Sequence, residues 1–263
     1  MVFERGAGTP LVFIPGLQGR WEYTRATVEA LARHFRVLTF SLADEPASGF
    51  EFDESRAFES YADHVRTVMD AAGVDRAIVC GLSFGGLVAL NLASRHPNRV
   101  EALVLTSTPG PGFSLRPRHE MYARLPWLFG PVFLVEAPFR AGPEIRRAIP
   151  TGRERLAFAR AMARAAVTAP LSTPRMANRA KLIASYDIAS ACARVTARTL
   201  VVTGEASLDR VVDVTRTAQY AQMIGGARHA VLERTGHQGT LTRPHAYADI
   251  IRRFAGGQHH AAA

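Results

Sequence analysis

Ser83 stands in the run Gly81-Leu82-Ser83-Phe84-Gly85. Before it, Arg76-Ala77-Ile78-Val79-Cys80 reads as a short buried strand; after it, Leu87 to Ala93 reads as the body of a helix. A serine at so sharp a junction holds its hydroxyl out from the sheet edge, and the flanking glycines avoid the clash that a Cβ would make in the turn. Gly86 adds a second small residue for contact between helix and sheet. A hydroxyl presented in this way can attack an electrophilic carbon, but at neutral pH it is a poor nucleophile without a base in hydrogen-bond reach.

Nine histidines compete for the role of base. His237, in Thr235-Gly236-His237-Gln238-Gly239, follows an expected strand and so lies at the same sheet edge as the serine turn. The others have plainer readings. His34 and His96 stand where helices end, where a cation suits the dipole. His64 is expected on the polar side of its helix, His229 beside a strand start, and His245 at the start of the last helix; His259 and His260 fall in the C-terminal tail. His119-Glu120 opens a zinc-binding pattern, but position 123 is Ala and the second ligand is missing. An acid is needed to hold the imidazole tautomer and stabilise the imidazolium. Asp209, in the loop Gly204 to Val212, is the choice, with Glu205 and Asp213 as rivals; Ser107-Thr108, after the strand ending at Thr106, offers no carboxylate. Two backbone N–H groups aimed at a developing oxyanion would complete the set. Phe84, opening the helix, supplies one, and Leu17, in the turn Pro15-Gly16-Leu17-Gln18-Gly19, supplies the other. Such a set calls for no metal and no organic cofactor.

These residues need a frame to bring them together. Leu11 to Ile14, Phe35 to Phe40, Val100 to Thr106, Thr199 to Thr203 and Ala230 to Leu232 are short runs rich in β-branched and aromatic residues without strict alternation, as strands covered on both faces should be. Helical stretches lie between them, at Ala26 to Arg33, Ser55 to Ala72, about Val214 to Ile224, and Ala246 to Phe254. The expectation is an α/β fold with a mostly parallel sheet covered by helices on both faces. Residues 110–196 break the alternation and are read as a helical lid inserted between strands. Thr151 and Glu154 form a capping box opening a helix through about Val167, and Thr173-Pro174 reads as the start of another. Met121, Tyr122, Leu125, Trp127, Leu128, Phe129, Phe133, Leu134 and Phe139 are expected mostly to pack the lid on the core, with a few lining an apolar pocket. The division is then 1–109 with 197–256 as the core, 110–196 as the lid, and 257–263 as a flexible tail.

The 263 residues carry a net charge of +9. Positions 110–197 hold 14 Arg/Lys against five acids, so the remaining 18 of each sign cancel and the whole excess sits in one middle segment. A solvated face explains that, as does attraction to anionic substrates or surfaces. No basic cluster is interleaved with aromatics, which argues against a nucleic-acid partner and for a small-molecule substrate. The longest uncharged run, Ala77 to Ser94, already divides into strand, turn and helix, so no stable membrane insertion is expected. Two cysteines without ligand or redox spacing, and no secretory signal at the N-terminus, suit a cytoplasmic location.

Taken together, Ile14-Pro15-Gly16, Gly81 to Gly86, Gly204 through Val212 and Gly236-His237 make the chain resemble the α/β-hydrolase superfamily from Leu11 to Phe254. The resemblance implies a serine-nucleophile, esterase-like member in which Ser83, Asp209 and His237 act in that chain order. It departs in two places: Pro15 replaces the usual His after the first strand, and the acid loop is two residues longer, leaving Ser207 at the customary spacing. The first strands also look trimmed. Carboxylic ester hydrolysis on a hydrophobic substrate is the activity implied. Enol-lactone hydrolysis, C–C bond hydrolysis and a non-catalytic ligand-binding member remain as alternatives. Relatives that use aspartate as nucleophile are disfavoured by Ser83.

Overall fold

Residues 2–257 are described by the computed structural model, and the inner strands among them are apolar on both sides. The strands are β1 (Val2–Arg5), β2 (Pro10–Ile14), β3 (Arg36–Phe40), β4 (Ala77–Leu82), β5 (Val100–Thr106), β6 (Arg198–Thr203) and β7 (Arg228–Val231). They form one sheet in the order β1-β3-β2-β4-β5-β6-β7, parallel throughout except where β1 pairs antiparallel with β3. Alternate residues feed two separate cores. Leu11, Phe13, Ile78 and Cys80 pack with Val28, Leu31, Tyr247 and Ile251 on one face. Val12, Ile14, Val79 and Leu103 pack with Tyr61, Val65, Leu87 and Leu90 on the other. Each side chain so buried contributes roughly 1.5–3 kcal/mol. Two apolar faces explain why the strands read as continuous hydrophobic runs.

The first helices are α1 (Arg25–Leu31), α2 (Phe58–Ala71) and α3 (Phe84–Arg95). Between β5 and β6 come α4 (Pro117–Arg124), α5 (Pro126–Ala148), α6 (Gly152–Thr168), α7 (Thr173–Ser185) and α8 (Ile188–Ala193), with no strand among them. The chain then runs through α9 (Val214–Ala218), α10 (Tyr220–Met223), α11 (Gly239–Thr242) and α12 (Pro244–Ala255). Thr151 caps α6, accepting from the Glu154 N–H. None of the described helices is long and apolar enough to cross a membrane. The tail assigned to 257–263 lies, from 258 onward, outside the described residues.

Several local expectations are corrected. An antiparallel strand, β1, precedes Leu11. The cap of α7 is Ser172, whose hydroxyl accepts from the Arg175 N–H, while Thr173 donates to the Pro126 carbonyl. The single helix expected at 214–224 is two short ones, α9 and α10. In the inserted segment Tyr122 is buried, but Trp127 and Phe139 are 72 % and 78 % exposed and Met121, Leu125, Leu128 and Leu134 are exposed as well, so six of the nine large apolar side chains do not pack on the core.

His64 is also misplaced by its charged neighbours Asp63 and Arg66. It is buried, with the rings of Phe40 and Phe50 each 4.8 Å from its own. Burial pushes its pKa down to about 4 from an ordinary 6.5. The unfolded chain therefore takes up a proton that the folded one refuses, and stability is complete above pH 6.5 and falls as the pH drops toward 4. The loss is on the order of 3 kcal/mol. Urea unfolding at pH 7, 5.5 and 4.5 should show a smaller decline for His64→Leu than for the wild type.

Candidate active site

Ser83 follows the last residue of β4 and precedes the first of α3, with φ 52° and ψ −118°. An L-residue seldom holds that conformation unless its surroundings enforce it. Here its N–H donates to the Thr106 carbonyl at 2.8 Å, and its own carbonyl accepts from the Gly86 N–H at 2.9 Å. A Cβ on Gly81 would strike the Gly85 carbonyl, and one on Gly85 would strike the carbonyls of Ile14 and Pro15. Only glycine lets the turn, the helix and the end of β2 meet so closely.

His237 and Asp209 converge on this serine. His237 Nε2 lies 3.2 Å from Ser83 Oγ. On the opposite side of the ring, Nδ1 faces Asp209 Oδ2 at 3.5 Å, longer than a normal hydrogen bond. Such contacts are often loose in the absence of substrate. Asp209 Oδ1 accepts from the N–H groups of Val211 and Val212 at 2.9 and 3.0 Å, which fixes the carboxylate in its loop. Burial works against charge on both groups, but their mutual attraction prevails. The Asp209 carboxyl is held below its ordinary range, helped by the two loop N–H groups, and the His237 imidazole above its own, helped by Glu144.

The rival acids are occupied elsewhere. Glu205 accepts from the Arg234 N–H at 2.6 Å, bracing the loop that leads to His237. Asp213 caps α9 through the Thr215 and Arg216 N–H groups. Of the remaining described histidines, His229 meets Thr203, His119 meets Arg140, and His64 is enclosed by aromatic rings. No group of three or more His, Cys, Asp or Glu among the described residues is arranged to hold a metal ion.

Phe84 is the first residue of α3, so its N–H has no acceptor within the helix. Leu17 and Ser83 line the same cavity of about 570 Å³, whose walls come from the end of the sheet, the Asp209 loop, and α4, α5 and α7. Phe113, Tyr122, Phe133, Met176 and Ile183 make much of it apolar.

Two side chains from the inserted helices, neither singled out by sequence reasoning, hold the loops of this site. Arg179 of α7 is fully buried. It donates to Asp44 through Nε and Nη2, to Glu45 at 2.6 Å, and to the Leu17 carbonyl at 2.8 Å. Glu144 of α5, also buried, accepts from the N–H of Gln238, the residue after His237, at 2.9 Å. Burial raises its pKa, although Gln238 and His237 oppose that. The one signal available for Glu144 was its isolation as the sole acid between positions 137 and 153. Arg179 carried no signal, because its partners are 134 and 135 residues away.

A serine, an imidazole and a buried carboxylate in line at the mouth of a parallel sheet place this chain in a known class. It belongs to the α/β hydrolase fold family, whose model matches residues 9–244, and its homologues are hydrolases. Along nearly its full length it is 28 % identical to a protein of Azorhizobium caulinodans provisionally named carbamate hydrolase RutD, covering 95 % of this chain and 92 % of the other. It is 36 % identical over 121 residues to the 2-hydroxymuconate semialdehyde hydrolase of Pseudomonas sp. (strain CF600), a match spanning 43 % of this chain and 41 % of that one. Among solved structures, the enol-lactonase from Burkholderia xenovorans LB400 superposes with a TM-score of 0.74 at 20 % identity, covering 97 % and 96 % of the two chains. That likeness is one of fold.

Proposed function

We propose that the protein is a serine hydrolase that cleaves a carboxylic ester through an acyl-enzyme, with a preference for hydrophobic substrates. The observation that supports this most is the 3.2 Å approach of His237 Nε2 to Ser83 Oγ at the floor of a largely apolar cavity. Ser83 attacks the ester carbonyl while His237 takes its proton, and Asp209 opposite Nδ1 steadies the imidazolium that results. The N–H groups of Leu17 and Phe84 receive the negative charge on the carbonyl oxygen. His237 then gives its proton to the leaving alcohol. Water, activated by the same imidazole, releases the acid and restores Ser83.

A second reading, hydrolysis of a carbon–carbon bond in a vinylogous diketone, is favoured by the 36 % identity to the semialdehyde hydrolase. A ligand-binding protein without turnover would have no need of the Ser83–His237 contact. Incubation with a fluorophosphonate, followed by intact mass measurement and peptide mapping, tests the nucleophile. The wild type should gain one phosphonyl group on Ser83, and Ser83→Ala should gain none. Equal labelling of both proteins removes the assignment. Turnover of a p-nitrophenyl ester but not of a vinylogous diketone separates the two hydrolytic readings.

A further inference from the structure

The cavity over Ser83 carries a charge that ester cleavage does not require. Its ionisable walls include four arginines, Arg116, Arg140, Arg210 and Arg216, against two carboxylates, Asp209 and Asp213. Both carboxylates are already engaged: Asp209 faces His237, and Asp213 sits 3.6 Å from Arg216. Arg216 also donates to the Pro111 and Gly112 carbonyls. Arg116 and Arg210 have no hydrogen-bond or ion-pair partner for their side chains among the described residues.

Arg140 is the most telling of them. Its guanidinium lies 4.6 Å from the Phe133 ring centroid, donates to His119 Nε2 at 3.0 Å, and reaches its nearest carboxylate, Glu136, only at 3.8 Å. Glu136 is shared with Arg118 and does not line the cavity. Burial lowers the Arg140 pKa in spite of Glu136, and burial together with Arg140, Arg116 and Arg118 lowers that of His119. This is a partly desolvated cation, reinforced by neighbours of its own sign, on the wall of the cavity that holds the serine. Its place on the cavity wall beside Phe133 sets Arg140 apart from the exposed arginines of the same segment.

We infer that the cavity binds a substrate whose acyl chain ends in a carboxylate, with Arg140 of α5 and Arg116, the residue just before α4, receiving the anion while Ser83 engages the ester carbonyl. The inference rests on the serine-hydrolase reading and adds the substrate class to it. It also gives the local excess of positive charge in residues 110–197 a use.

Two esters of equal length test it: p-nitrophenyl hexanoate, and the mono-p-nitrophenyl ester of adipic acid, in which the terminal methyl is replaced by a carboxylate. The wild type should show a kcat/KM for the adipate ester higher by about tenfold or more, a typical size for one charge-assisted contact. That preference should shrink toward unity in Arg140→Gln, in Arg116→Gln/Arg140→Gln, and in 0.5 M salt. Arg116 is exposed, so Arg116→Gln alone keeps the test open if the variants at 140 fail to fold. Equal kcat/KM for the two esters, or a preference that survives in the double variant, overturns the inference. If neither ester is turned over and Ser83 resists the fluorophosphonate, the hydrolase reading has failed instead. Calorimetric titration of adipate into the wild type and Arg116→Gln/Arg140→Gln then decides the anion site separately: heat of binding lost in the variant supports it, and no binding to the wild type overturns it.

Discussion

Ser83→Ala is expected to lower kcat for a p-nitrophenyl ester by roughly 10⁴-fold or more, since removing one member of a nucleophile–base pair disables the whole unit. His237→Ala should fall by the same order, and the double variant should fall no further. Non-additivity of that kind is the diagnostic result. It arises because the base has nothing to deprotonate once the hydroxyl is gone, and the hydroxyl has no acceptor for its proton once the ring is gone. The fold should survive both changes, because alanine meets the same φ of 52° at position 83 and Thr106 still receives the backbone N–H. Steady-state kinetics of the three variants, with melting temperatures measured alongside, checks this. Single variants whose losses multiply in the double variant would mean that the two residues do not work on one proton.

Arg179→Met is expected to give the largest loss of stability, about 3–5 kcal/mol, because it leaves buried acid without its counter-charge. The Glu45 side chain is fully buried and that of Asp44 only 11 % exposed, so neither can recover hydration easily. Arg175, at 3.1 Å from Glu45, can offset only part of the charge. In a chain of this length the change corresponds to a fall in Tm of about 10 °C. Arg179→Lys should be nearly as harmful, since an ammonium cannot replace a planar fork that serves Asp44, Glu45 and the Leu17 carbonyl at once. Thermal and urea unfolding measure the loss directly. A wild-type Tm in Arg179→Met would show that the two acids find other partners.

The sheet was legible from residue type because its inner strands are buried on both faces and leave unbroken apolar runs, as in Ala77–Leu82. β1 was not, since Val2-Phe3-Glu4-Arg5 is an edge strand whose pairing with β3 is decided by tertiary contact. Ser83 stood out because its turn demands glycines at fixed spacing, a local constraint that leaves a local trace. Between Asp209 and its rivals sequence offered less, since any acid in that loop could face inward. In the folded chain the other two accept from the Arg234 backbone N–H and from the N–H groups at the start of α9. His64 misled because its neighbours in sequence are charged while its neighbours in space are Phe40 and Phe50. Arg179 lay beyond local reading altogether and Glu144 showed only its isolation among acids, since what each holds is a backbone group on a distant loop, 162 and 94 residues away in sequence.

Those two clamps bear on how the molecule can be re-engineered. The inserted helices grip one loop through Arg179 and the other through Glu144, so they cannot be treated as an interchangeable cassette on a self-sufficient base. A chimera that borrows its helices from another member of the family must import an arginine that reaches the carbonyl at position 17 and an acid that reaches the amide at position 238. Without them the grafted protein would inherit a new specificity wall over loosened machinery.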